Sequence, residues 1–211
     1  MTWTFGEPPL VETTELAPLL RRLVGIALSA EVPSTALRTL IDDLVAAERS
    51  LAELAPSSPT PRVGADHPAD GRVYLDHARN IGAFNPAFPV YEITVEGSNA
   101  SGSVEFPIIY EGPPGIVHGG FLGVFFDCVM QHHNCDLGVA GKSTSLGVRF
   151  RRPAPLLTPL SFDIERSVST DRIESNARLL HGSTVLAEAR MEAIAGDLSA
   201  LPPVSARKRD R

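Results

Sequence analysis

Gly119-Gly120-Phe121-Leu122-Gly123-Val124-Phe125-Phe126-Asp127-Cys128-Val129-Met130-Gln131 is apolar nearly all the way round a helix and carries a single charge, Asp127. A helix of that composition is buried rather than amphipathic, so the rest of the domain must wrap it. The wrapping comes from strands on both sides in sequence. Before the helix, period-two alternation runs through Tyr91-Ile93-Val95 and Val104-Phe106-Ile108. The intervening Gly97-Ser98-Asn99-Ala100-Ser101-Gly102 makes the pair a β-hairpin. After the helix, alternation returns in Leu146-Val148-Phe150, Leu160-Phe162-Ile164, 173–179 and Val185-Ala187-Ala189-Met191-Ala193, with turns at 153–155, 169–171 and 181–183. Strands that follow one another through short turns make an antiparallel sheet, and its apolar face needs a cover that the helix supplies. The fold class expected is α+β, an antiparallel β-sheet wrapped around a central α-helix.

Upstream, apolar residues recur at helical spacing over 15–30 and 34–54, most clearly at Leu37, Leu40, Ile41, Leu44, Val45, Leu51 and Leu54. Pro33 separates two amphipathic helices, read as a hairpin. The stretch Ala55-Pro56-Ser57-Ser58-Pro59-Thr60-Pro61 disfavours both helix and sheet and reads as a linker. The expected organisation is an N-terminal helical extension over 1–54, a Pro/Ser-rich linker over 55–71, the main domain over 72–196 and a C-terminal tail over 197–211.

With 211 residues, 43% hydrophobic and 21% charged, the chain buries an ordinary core in one domain and has residues left for an appendage. Net charge −6 and a pI near 5.5 give no electrostatic pull toward nucleic acid or an anionic membrane. The basic end Arg207-Lys208-Arg209-Asp210-Arg211 is short and reads as a solvated terminus. No apolar run reaches the ~18 residues of a membrane span, and Met1-Thr2-Trp3-Thr4-Phe5-Gly6-Glu7 lacks the basic start and apolar stretch of a signal peptide. A cytoplasmic location is expected. Cys128 and Cys135 fall two turns apart on one helix, about 10 Å by the helical rise and beyond disulfide reach, so both are expected as reduced thiols.

The chemistry concentrates where the chain enters the central helix. Gly115, Gly119 and Gly120 allow a ligand to approach free backbone N–H groups, and a helix N-terminus favours developing negative charge. Asp127 follows two turns on. Burying a lone carboxylate costs on the order of several kcal/mol unless it is paired, and a structural hydrogen bond or a subunit contact is the plain reason for keeping one. Amide donors for an oxyanion and a carboxylate that activates water together suit thioester hydrolysis, because a thiolate leaves without a strong general acid.

Pro114-Gly115-Ile116-Val117-His118-Gly119-Gly120, Asp127 nine positions after His118, and Arg151-Arg152-Pro153 closing a strand resemble the hotdog-fold acyl-CoA thioesterases of the phenylacetate-pathway, PaaI-like type. The likeness runs from about Gly82 to Ile194. It implies a hotdog fold and assigns oxyanion stabilisation to the amide of Gly119 or Gly120. Asp127 becomes the base or nucleophile, and His118 shapes the turn. It places a hydroxyl that orients water at Ser143, with Thr144 and Ser145 as competitors. Asn85, in Gly82-Ala83-Phe84-Asn85-Pro86, is placed near the substrate, as are Val117, Thr144, Phe126 and Met130, with pocket depth set by how Phe121, Phe125, Phe126 and Met130 pack. The substrate implied is an acyl-CoA, with no cofactor beyond the coenzyme A it carries. A homodimer or dimer of dimers is implied, each site formed between the helix entry of one subunit and the aspartate of the other. Cys128 stands where relatives have an acidic residue, and Glu111-Gly112 where some have Asn.

Other readings carry less. His132, His133, Cys135 and Asp136 match no standard zinc spacing, so no metal is expected. Cys128 lacks an adjacent base for a nucleophile's role. His181-Gly182 is a hairpin turn. Arg149, Arg151 and Arg152 suit either coenzyme A phosphates or an ordinary charged sheet face. The main alternative to hydrolysis is a non-catalytic acyl-CoA or lipid-binding hotdog domain with a regulatory role; hydratase chemistry is a third.

Overall fold

The computed structural model describes residues 4–78, 80–136, 138, 141–195 and 201–208. The expected boundary between domain and tail at 196/197 and the last three residues of the basic end lie outside them. Two helices, α1 (Val11–Leu28) and α2 (Thr35–Ala52), precede a small parallel pair, β1 (Ser58–Pro61) and β2 (Gly71–Arg72). Then come β3 (Tyr91–Glu96), β4 (Asn99–Val104), helix α3 (Gly119–Asp136), β5 (Ser143–Phe150), β6 (Leu160–Val168), β7 (Arg172–His181) and β8 (Thr184–Ile194). Strands β3 to β8 form one six-stranded antiparallel sheet in the order β3-β4-β6-β7-β8-β5. Two strands, a helix and four strands is the expected order.

The core lies between α3 and the inner sheet face. Inward residues of β6 and β7, among them Phe162, Ile164, Ile173, Ala177 and Leu179, alternate with exposed polar ones, as half-buried strands do. Phe125 is the hub: its ring meets Phe106 at 5.3 Å and Phe162 at 5.4 Å, edge to face in both cases. Each large apolar side chain buried here contributes about 1.5–3 kcal/mol.

Three expectations need correction. The second strand is Asn99–Val104 rather than Val104-Phe106-Ile108, and the six-residue connection shrinks to Gly97-Ser98, with Gly97 at φ +64°. Alternation is hard to see there because the inward residues Ala100 and Gly102 are small. Gly102 has to be: a Cβ on it would lie 2.4 Å from the Phe162 ring. Second, α3 is buried on one side only. Phe121 and Val124 are exposed and Asp127 is half-exposed, because the six strands leave that flank of the helix uncovered. Third, α1 and α2 do not close into a packed hairpin. No residue of α2 is buried, and its stripe of Ile41, Leu44 and Val45 faces outward.

The segments outside the sheet are tied to it by backbone pairing. Glu7 accepts from the Asp76 N–H and donates to the Tyr74 carbonyl, at 2.9 Å each. Within the proline-rich stretch, Ser58 and Pro61 pair with Gly71 and Arg72. Arg62 donates to the Ala206 carbonyl at 3.0 Å, drawing the chain end onto this small sheet.

At the far end of α3 a polar cluster sits inside the core. His133 bonds the Gly97 carbonyl through Nε2 at 3.1 Å, and Arg166 donates to the carbonyls of His133 and Gly97. Burial, then the positive charge of Arg166, with a smaller push from His132, brings the His133 pKa from 6.5 down to about 4; the Gly97 bond and Asp136 act the other way. The unfolded chain therefore binds the extra proton first. Stability from this group is complete above about pH 6.5 and is lost as the pH falls toward 4, on the order of 3 kcal/mol in all. Urea titrations at pH 7 and pH 4.5 should show His133→Gln losing less stability between the two than the wild type; equal losses would show that His133 does not drive the acid limb.

Candidate active site

His118 caps α3. Its carbonyl accepts from Phe121 at 2.9 Å and its ring Nδ1 from the Gly120 N–H at 3.1 Å, the part that Asn or Asp usually plays at a helix start. Its own N–H donates to the Tyr110 carbonyl at 2.8 Å. The pair Gly119/Gly120 is thereby separated. The Gly120 amide is spent on His118, whereas the Gly119 amide has no acceptor among the described residues and lies at the positive end of the helix. A Cβ on Gly119 would stand 2.9 Å from the tip of the Phe150 ring, so the ring of that exposed side chain would have to swing aside to admit one.

Asp127 lies about 12 Å further along the helix axis, eight residues at the helical rise. Its Oδ1 accepts from the Ser143 hydroxyl at 2.7 Å, and Ser143 accepts from Gln131 Nε2 at 2.8 Å. Gln131 also donates to the Gly141 carbonyl at 3.1 Å, pinning the start of β5 to the helix. A bulge in the β5–β8 pairing between Ser143 and Ser145 turns Ser143 toward α3 and Thr144 away, so that the Thr144 hydroxyl donates to the Glu192 carbonyl at 3.0 Å. Of the three hydroxyls weighed in sequence, Ser143 is the one the fold brings to Asp127.

The other expected residues fall elsewhere. Asn85 turns its side chain back to the Ala87 N–H at 2.9 Å, closing its own loop. Val117 is buried, with its N–H on the Ala154 carbonyl. Phe126 and Met130 are wholly buried core residues of the single chain, and Phe121 is the aromatic side chain of α3 left at the surface. Burial pushes the Cys128 thiol up to about 12, with the charge of Asp127 adding to it, so at neutral pH no thiolate forms there. His132 bonds the Tyr91 hydroxyl at 2.8 Å and His133 faces Gly97. Among the described residues no three His, Cys, Asp or Glu side chains are placed to hold a metal ion.

A recess of about 500 Å³ opens beside the Gly119 amide, with apolar walls from Ile116, Leu122, Phe150 and Pro153 and with Arg151 and Arg152 at its edge. Arg151 is paired to Glu188 at 2.6 Å. The larger recesses on the outer sheet face are lined by charged strand residues such as Asp163, Arg178, Glu188 and Arg190. Gln131 and Phe150 escaped the sequence reading. Gln131 had a signal, standing one turn after Asp127 on the same helix face.

A solved thioesterase superfamily protein is similar to this chain: 25% identical, covering 92% of this chain and 96% of its own, with a TM-score of 0.69. A hypothetical thioesterase protein from Streptococcus pneumoniae, solved with coenzyme A, is 16% identical over 52% of this chain and 88% of its own, with a TM-score of 0.50. The PaaI protein of E. coli, from the phenylacetic acid degradation operon, is 14% identical over 49% of this chain and 82% of its own, with a TM-score of 0.46. No protein-family model matches the sequence, and no curated protein does. The architecture is the hotdog fold, and in structure the chain resembles a thioesterase superfamily protein. Among the described residues no helix is long and apolar enough to cross a membrane.

Proposed function

We propose that this protein hydrolyses an acyl-CoA thioester to a free acid and coenzyme A. The observation that carries the reading is the pairing of an open helix-N-terminal amide at Gly119 with a hydroxyl-anchored carboxylate at Asp127. In this reading Asp127 removes a proton from water as its oxygen attacks the carbonyl carbon. The Gly119 N–H holds the resulting oxyanion, and collapse of the tetrahedral species expels the coenzyme A thiolate. Ser143 and Gln131 hold the carboxylate in place. Coenzyme A enters as part of the substrate, its phosphates near Arg152, and no other cofactor takes part. Two unpaired cysteines accord with a cytosolic setting. Thiol release measured over short, long and aromatic acyl-CoAs tests the reading; saturable binding with no thiol released from any of them would replace it with a binding domain.

In this reading the working unit is a dimer. A donor and a base about 12 Å apart along one helix cannot both reach a single carbonyl carbon, so Gly119 of one copy has to meet Asp127 of another. The flank where they would meet is uncovered. Strand β5 is a sheet edge with no buried residue; Leu146 and Phe150 are exposed on it, as Phe121 and Val124 are on the α3 helix it packs against. A long, apolar, unpaired edge of this kind is a template for pairing with a second copy. Sedimentation is expected to give a dimer, or a dimer of dimers, at micromolar concentration. Leu146→Asp should shift it to monomer and remove turnover together; an active monomer would refute the shared site.

A further inference from the structure

Ala17 and Arg21 are the only residues buried in the two N-terminal helices, and a charge is taken out of water only when its donors are met. Arg21 meets them on three backbone carbonyls. Its Nε donates to Phe88 at 3.0 Å, and its Nη2 to Gly82 at 2.9 Å and to Asn85 at 3.0 Å. All three acceptors belong to the loop that carries Asn85, so one side chain from α1 clasps both ends of that loop. Helix α1 also packs against the turn Ile108–Tyr110, which buries the Tyr110 side chain. Tyr110 is also where the site begins. Its carbonyl receives the His118 N–H at 2.8 Å, and its ring stands edge-on to Phe121 at 5.0 Å. His118 in turn takes up the Gly120 amide and leaves that of Gly119 open.

We infer that Arg21 is a positioning residue: by clasping the Gly82–Phe88 loop behind Tyr110 it fixes the turn that presents the Gly119 amide. The N-terminal helix is then part of the site's architecture rather than an appendage to it. One structural likeness agrees with this role. Coverage of 92% of this chain by the solved thioesterase superfamily protein necessarily takes in most of the first 54 residues, whereas the Streptococcus pneumoniae protein covers 52%. The kinetic half of the inference rests on the thioesterase reading; the geometric half does not.

The test is Arg21→Lys, which keeps the charge but puts one ammonium where a planar fork reached three carbonyls. Two readouts are taken on the full chain. In ¹H–¹⁵N spectra the Gly119 and Gly120 amide resonances should move, although both lie far from residue 21 in sequence. In the thiol-release assay kcat should fall about tenfold with KM within about twofold, because misplacement by less than about 1 Å weakens transition-state contacts more than binding. Ile173→Val, a core truncation remote from these loops, should lower thermal stability while leaving kcat and both glycine resonances unchanged. If Arg21→Lys does not fold, Tyr110→Leu cuts the same connection on its far side and is read in the same two ways. Unmoved glycine resonances in a folded variant overturn the inference. A wild-type protein that releases no thiol overturns the thioesterase reading instead, and the glycine resonances still decide whether Arg21 sets the turn.

Discussion

Asp127→Asn is expected to lower kcat by on the order of 10³-fold while the fold and the oligomeric state persist. The change is isosteric. The Asn Oδ1 still accepts the Ser143 hydroxyl that now reaches Asp127 at 2.7 Å, and the new amide nitrogen meets a half-exposed flank where water satisfies it. What disappears is the basic oxygen that, in the proposed mechanism, takes a proton from the attacking water. Thiol release, thermal unfolding and sedimentation on one preparation separate the outcomes. Loss of turnover with an unchanged melting temperature supports the base. Turnover near that of the wild type would remove Asp127 from the chemistry, and unfolding of the variant would make it a structural interface group.

The second large effect is expected at Gly119, and here the helix start permits an unusually clean substitution. Gly119 is the first residue of α3, and its φ lies outside the left-handed region. Proline is tolerated at that position, where its missing N–H costs the helix no internal bond and its fixed φ suits the first turn. Gly119→Pro therefore deletes the open donor and little else of the backbone. Loss of a single oxyanion donor costs about 10² to 10³ in kcat. Gly119→Ala is the control for bulk. It keeps the N–H and adds a Cβ against the tip of the Phe150 ring, an exposed side chain that can swing aside, so its effect should be tenfold or less. Equal activity in the proline and alanine variants would rule out the Gly119 amide as the oxyanion donor and leave Gly120, released by a turn of the His118 ring, as the candidate.

Much of the architecture was legible because it rests on local periodicity. Strict alternation at Leu160-Phe162-Ile164 and over 173–179 marks strands whose inner residues are large, and the apolar helix between hairpin and meander identifies what they wrap. Legibility failed at β4 because tertiary packing reverses the usual cue: Phe162 fills the space opposite Gly102, and a strand with glycine and alanine on its inner face looks like a turn. It failed again for α1, whose one buried polar side chain, Arg21, stands among exposed apolar residues such as Leu16 and Leu19, so that periodicity alone points to the wrong face.

For the candidate site, sequence by itself determined the two groups, a glycine-rich helix entry and a carboxylate two turns on, because helical rise and the polarity of a helix N-terminus follow from spacing alone. Tertiary structure decided which members of each set are paired. Nothing in local sequence tells Gly119 from Gly120, or Ser143 from Thr144 and Ser145. The first choice depends on where the His118 ring turns and the second on a bulge in the pairing of β5 with β8. The Ser143–Asp127 bond joins segments that the chain brings together only when the sheet closes around the helix, and such a bond leaves no periodic trace in the residues that make it; the Gly120–His118 bond spans two residues and depends on which way the His118 ring turns.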